Sequence, residues 1–227
     1  LSFKRRRELH LRAGDVEERA AGTDLDGAAD VLALHFSLAH DHDRAWRYAR
    51  IAGDQARDAY ANVNAAAHYE RALVAARRLE AVSDDDRADV YKSLGDVLER
   101  AGLFEESLDA YKRALGYVHD EPTRRIDLIL RRSLVRRRSG AYVAALREVS
   151  QGLQLIDADA SDQTIRLRGR LTAERGAIRS CQQRPREALQ HAEQAEADAR
   201  AVNDVETLGH ALDLIDWAHR MMGSTNE

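Results

Sequence analysis

Arginines gather in two stretches, Arg131, Arg132, Arg136, Arg137 and Arg138, then Arg166, Arg168, Arg170, Arg175 and Arg179. A guanidinium stays charged at physiological pH and offers paired N–H groups to phosphate or carboxylate, so such a stripe has the chemistry of an anion-binding face. The competing reading, which the sequence favours, is a set of solvated helix faces paired with the acidic run Glu187, Glu193, Glu196 and Asp198. His35, His40, Asp41, His42 and Asp43 bring together imidazoles and carboxylates, donor types suited to a transition metal. Caps and turns use these same residues, and the favoured reading is a polar turn. The single cysteine, Cys181, can make neither an internal disulfide nor a thiolate metal cage. No Gly-rich phosphate loop, zinc spacing or nucleophile turn occurs, so the sequence points to no catalytic residue, no metal and no cofactor.

Helices must carry whatever face does the binding. The chain is 44% hydrophobic but only 5% aromatic, so its core has to be built from Ala, Leu and Val, and small side chains imply closely packed helices. Two prolines and 33% charged residues fit long helices with wetted faces, whereas a sheet protein of this length would need more turn breakers and β-branched residues. A formal charge of -4 argues against a surface that traps nucleic acid as a whole. No apolar run reaches the roughly 18 residues that span a bilayer, and the N-terminus lacks the apolar core of a secretion signal. A cytoplasmic location without membrane contact is expected. The chain starts at Leu1 inside a helical pattern and stops just after an apolar helix, which predicts a piece cut from a longer polypeptide.

The clearest internal unit runs from Ala88 to Ala114: Tyr91, Leu94, Gly95 and Leu98, then Gly102, Phe104, Ser107, Tyr111 and Ala114. This order resembles the tetratricopeptide pattern of paired antiparallel helices. Where two helices cross at close range, only Gly, Ala or Ser at the contact lets the backbones approach. The frame places that small residue of the first helix at Gly53, Gly95, Ser133 and Gly176, and its partner on the second at Ala65, Ser107, Ala145 and Ala188. The turn between them falls at Tyr60, Gly102, Gly140, Gln183 and Gly223. Departures are Asp216 at the last small position, and Arg136 and Arg179 where a large apolar residue is usual. Helices are predicted at about 3–19, 25–40, 43–58, 61–80, 84–101, 104–117, 122–139, 141–156, 161–182, 185–202 and 204–222. Asp43, Ser83 or Asp84, and Ser161 are the expected N-caps. The expected fold is an all-α, tetratricopeptide-like α-solenoid, a right-handed superhelix with a concave inner face.

A second resemblance rests on Leu1 to His10, Leu32 to Phe36, Asp43 to Ala49, and Ala65 with Tyr69 to Leu73. These segments resemble the C-terminal helical region of large bacterial signalling proteins, in which a class III adenylate or guanylate cyclase domain or a LuxR-type DNA-binding domain is joined to an AAA-type signal-transduction ATPase and then to such repeats. The likeness is strongest over residues 1–115. It implies that residues 1–24 form a helix leading out of an upstream ATPase module, and that residues 25–227 are repeats truncated within the last one. The related region of maltose-regulator-type activators is a sensor superhelix, which implies binding of a ligand or partner. The family's cyclase and ATPase residues match nothing here.

In the tetratricopeptide frame the groove-facing positions are Arg47, Arg50, Asp54 and Arg57, then Lys92, Asp96 and Glu99, then Asp127, Leu130, Leu134 and Arg137, then Arg170, Ala173 and Ala177, then Asp213 and Trp217. They predict a mixed, partly basic wall with Arg50 and Lys92 as preferred anchors. The Lys and Asn constellation that grips a peptide carboxylate in chaperone-binding tetratricopeptide domains is missing. The leading expectation is a non-catalytic scaffold that binds a protein segment, including another domain of its own parent chain. The alternative is a small-ligand sensor controlling an attached ATPase, and the third is local nucleic-acid binding through the arginine stripe. On the last helix Leu208, Leu212, Ile215 and Met222 form a stripe that a further repeat of the parent chain would bury; in isolation it predicts either pairing with a second copy or an exposed apolar patch.

Overall fold

The computed structural model describes residues 2–119, 121–156 and 161–223. Among these there are eleven α-helices and no strand. Two compact units divide the chain, Leu1–His119 and Asp120–Glu227. The first holds α1 (Phe3–Ala21), α2 (Ala29–Ala39), α3 (His42–Asp58), α4 (Asn62–Ala76), α5 (Asp84–Arg100) and α6 (Phe104–Tyr117). The second holds α7 (Pro122–Arg138), α8 (Tyr142–Gln154), α9 (Asp162–Cys181), α10 (Pro185–Ala201) and α11 (Val205–Met221).

Sequence-local chemistry starts the helices. The side chains of Ser2, Asp41, Ser83, Ser161 and Asp204 each accept a hydrogen bond from the backbone N–H three residues on, satisfying one of the free donors of the first turn. Pro122 and Pro185 open α7 and α10, where a missing N–H costs nothing. The cap of α3 is Asp41 and not the expected Asp43, which lies in the first turn and complements the helix dipole there. Helix α4 stops at Ala76, four residues before the expected end, and the Arg87 guanidinium instead binds the carbonyls of Ala76 and Leu79, at 3.3 and 2.9 Å.

The turn inside each pair follows one recipe. Tyr60, Gly102, Gly140 and Gln183 all have left-handed backbones, with φ of 58°, 78°, 79° and 57°. In each case the next residue's N–H reaches back five positions: Ala61 to Ala56, Leu103 to Leu98, Ala141 to Arg136 and Arg184 to Arg179, at 2.8 to 3.0 Å. This is the Schellman closure of a helix end, and its repetition fixes how the second helix folds back on the first. His40 and Asn203, at φ of 56° and 53°, do the same after α2 and α10.

Close approach of the paired helices is enforced by the small residues. A Cβ built on Gly53 would lie 2.7 Å from the Tyr69 ring, and one on Gly95 would lie 2.5 Å from the Tyr111 ring. On Gly176 it would come within 3.3 Å of the Ala188 carbonyl oxygen. Helix α1 joins the packing in the same manner, since a Cβ on Gly14 would meet the Phe36 ring of α2 at 2.7 Å. Arg44 ties that end of the first unit together, pairing with Asp15 at 2.7 Å, Glu18 at 3.0 Å and Asp41 at 2.8 Å above the Phe36 ring. The core of the second unit gathers Ile126, Ala145, Val149, Leu171 and Ile178. On α11 the apolar stripe is partly covered: Leu212 remains 43% exposed, whereas Leu208, Ile215 and Met222 are half-buried. No helix among the described residues is long and apolar enough to cross a membrane.

Candidate functional site

In the first unit the residues placed on the groove-facing positions are largely engaged with their neighbours. Asp54 accepts the Tyr69 hydroxyl at 2.7 Å and pairs with Arg57 at 2.8 Å. One repeat later Asp96 accepts the Tyr111 hydroxyl, again at 2.7 Å. Each carboxylate follows the small residue of its own helix, so the same unit of Gly, Asp and Tyr recurs and locks first helix to second. Burial, the Asp54 hydrogen bond and its charge push the Tyr69 hydroxyl far up from its ordinary pKa, so it donates at all working pH values. Arg50 bridges α3 to α5 through Asp86 at 3.2 Å and stacks over Trp46. Arg47 lies over the Tyr48 ring, and Lys92 and Glu99 are half-buried on α5.

The second unit brings its predicted positions around one cavity of about 460 Å³. Three first helices supply it. Leu130, Leu134, Ala173, Ala177 and Leu214 form an apolar floor, and Asp127, Arg131, Arg137, Arg170, Glu174, Glu206, His210 and Asp213 supply the polar wall. Eight of the residues placed on the groove by the repeat frame line it: Asp127, Leu130, Leu134, Arg137, Arg170, Ala173, Ala177 and Asp213. Trp217, one helical turn past Asp213, is half-buried and does not line it.

Of the lining residues that sequence reasoning did not place on the groove, which include Glu206, His210 and Leu214, the most deeply buried charge is Glu174. Its side chain is 5% exposed, and it holds Arg137 Nε at 3.0 Å. Ser133 Oγ lies 3.4 Å from the same carboxylate. Burial raises its pKa above the ordinary carboxylate range, and the Arg137 charge offsets this only in part. A signal existed: Glu174 sits at helical spacing between Leu171 and Ile178, both fully buried, so a charge on that face demands a partner. Asp204 is another such group. It caps α11 through Thr207 and receives Arg170 at 3.3 Å.

The arginine stripe is mostly spent inside the fold. Arg132 and Arg136 share buried Glu148 at 2.7 and 3.1 Å, and Arg168 holds Asp198 at 2.7 Å. Arg179 pairs with Glu187 at 3.0 Å. The two arginines that break the repeat pattern therefore replace an apolar contact by an ion pair between the first and second helix of the same hairpin. Glu187 and the buried Asp198 belong to the acidic run read from the sequence, while two further buried partners, Glu148 and Glu174, lie outside it. Such matched charges leave few free cations for phosphates. In the histidine cluster Asp41 is occupied by the α3 cap and Arg44, and His10 Nδ1 lies 3.1 Å from His35 Nδ1. Among the described residues no three His, Cys, Asp or Glu side chains gather to hold a metal ion.

Hairpins closed by one turn, with small residues at each crossing, define a tetratricopeptide-like α-solenoid. Comparison with solved structures agrees on the fold. The chain is similar to BtubC (BKLC) from P. vanneervenii, with a TM-score of 0.63 and 12% identity over 99% of this chain and 85% of that one. It is similar to the MamA protein, with a TM-score of 0.52 and 14% identity over 79% and 88% of the two chains. It is also similar to the Rap conjugation gene regulator of plasmid pLS20, solved in complex with the Phr* peptide, with a TM-score of 0.57 and 13% identity over 83% of this chain and 55% of that one. No family model matches the chain, and no curated protein matches it by sequence.

Proposed function

We propose that this chain is a non-catalytic interaction module that receives a segment of a protein partner in the cavity lined by α7, α9 and α11. One observation carries the reading: the equivalent faces of three successive first helices meet around an apolar floor of Leu130, Leu134, Ala173, Ala177 and Leu214 under a polar wall. An apolar floor lets aliphatic side chains leave water at about 25 cal/mol per Å², while a polar wall fixes orientation. The bound Phr* peptide of the Rap regulator supports the same use of a fold of this kind.

A finer reading rests on the resemblance of residues 1–115 to bacterial signalling proteins with cyclase or LuxR-type and ATPase domains. In it the segment belongs to another domain of the same parent chain, and the module regulates that domain in the cytoplasm. The volume of about 460 Å³ also suits a small ligand, which favours the sensor reading as the second choice. A ligand that binds only the folded state raises the melting temperature in a thermal-shift screen.

The test is selection of random dodecapeptides displayed on phage, run against the wild-type chain and against Ala177→Phe, which projects a ring from the apolar floor into the cavity. Circular dichroism confirms that the variant folds. Peptides enriched on the wild type and lost on the variant are the expected result. A pool retained equally by both proteins, or no pool at all, overturns the reading.

A further inference from the structure

Charge on the wall of the same cavity specifies the kind of segment it takes, an inference that rests on the function proposed above. The wall holds three arginines, and each is already met by a carboxylate of the protein. Arg131 pairs with Asp127 at 3.0 Å, Arg137 with Glu174 at 3.0 Å, and Arg170 with Asp204 at 3.3 Å and Glu206 at 3.4 Å. Among the described residues Asp213 is different. It is an exposed carboxylate on the cavity wall with no hydrogen bond or ion pair, and it directly precedes Leu214 of the floor. Glu206 is 73% exposed and only shares Arg170 with the buried Asp204, so most of its charge also faces solvent. His210 stands one turn from both on α11. The unspent charge around the floor is therefore negative, although the sequence of these helices is rich in arginine.

We infer that the cavity selects a peptide segment in which aliphatic side chains are flanked by a lysine or arginine, the cation lying against Asp213 while the aliphatic groups fill the Leu130, Leu134 and Leu214 floor. An acidic segment meets no open cation there and brings its charge next to Asp213 and Glu206. Complementary charge of this sort sets partner choice and orientation more than raw affinity, because exposed pairs are each weak.

The probe is a selected dodecapeptide from the display experiment, labelled with fluorescein and measured by anisotropy at low salt. Each Lys or Arg of the peptide is replaced in turn by Gln and by Glu. The expected results are enrichment of aliphatic residues beside Lys or Arg, and weakening by about tenfold for the change to Glu at one position. Asp213→Asn should reduce that discrimination to about threefold or less while leaving the fold intact, because the side chain is exposed. Selected peptides rich in Asp or Glu, or a charge preference unchanged by Asp213→Asn, overturn this inference while the interaction reading stands. Peptides whose binding ignores Ala177→Phe overturn both.

Discussion

The Ser107 hydroxyl donates to the Gly95 carbonyl oxygen at 2.8 Å across the contact between α5 and α6. Ser133 repeats the tie in the next unit, donating from the first helix to the Ala145 carbonyl oxygen of the second at 3.3 Å. Helix carbonyls are reachable by so short a side chain only when the two backbones nearly touch. The same proximity leaves Gly95 no space for a methyl group beneath the Tyr111 ring.

Gly95→Ala is therefore expected to destabilise the chain by about 1–3 kcal/mol, even though Ala is the better helix former by about 1 kcal/mol. Gly209 on α11 has nothing within 4 Å of its would-be Cβ. Gly209→Ala should accordingly stabilise by about 0.5–1 kcal/mol. Urea denaturation of the two variants gives the contrast, and equal effects would contradict the close-contact account.

Glu148→Ala is expected to cost about 3–5 kcal/mol, because it strands two arginines. The carboxylate is buried against Arg132 and Arg136, and burial already lowers the Arg132 pKa from its ordinary value. Glu196→Ala removes only an exposed pair with Arg200 and should cost under about 1 kcal/mol. Chemical denaturation distinguishes them. Similar midpoints for both variants would mean that the stripe is solvated after all.

Asp204 links stability to acid pH. Burial pushes its pKa up, but the Thr207 hydroxyl and N–H and the Arg170 charge outweigh this and hold it below the ordinary 3.8. The folded chain thus releases the proton more readily than the unfolded chain. Its contribution is complete above the unfolded value and is lost as pH falls through the folded one. Asp204→Asn should lose about 1 kcal/mol near neutral pH and show a shallower decline below about pH 4 than the wild type. Parallel acid-denaturation curves would refute this role.

The sequence makes the hairpins legible because two kinds of residue can be placed without knowing the fold. Small residues recur where backbones cross, and Tyr60, Gly102, Gly140 and Gln183 fall at the left-handed turns that the repeat frame marks. Gln183 and Tyr60 show that the register carried this information, since neither residue type announces such a backbone. The candidate site was legible in outline, as Leu130, Leu134, Ala173 and Ala177 line the cavity. Its charge was not. Whether an arginine is available depends on a carboxylate one repeat away, as with Arg137 and Glu174 or Arg170 and Asp204, and spacing along one helix is blind to that distance. The end of α2–α3 was misplaced for a local reason: several short polar side chains compete for one cap, and Asp41 wins through Arg44.

The most direct measurement is a methyl NMR titration of the chain, labelled at Leu and Ala methyl groups, with a display-selected dodecapeptide. The account predicts shifts concentrated at Leu130, Leu134, Ala173, Ala177 and Leu214, with Leu73 and Leu146 unchanged. Shifts centred on Leu73 or Leu146, with the five floor residues silent, would contradict it.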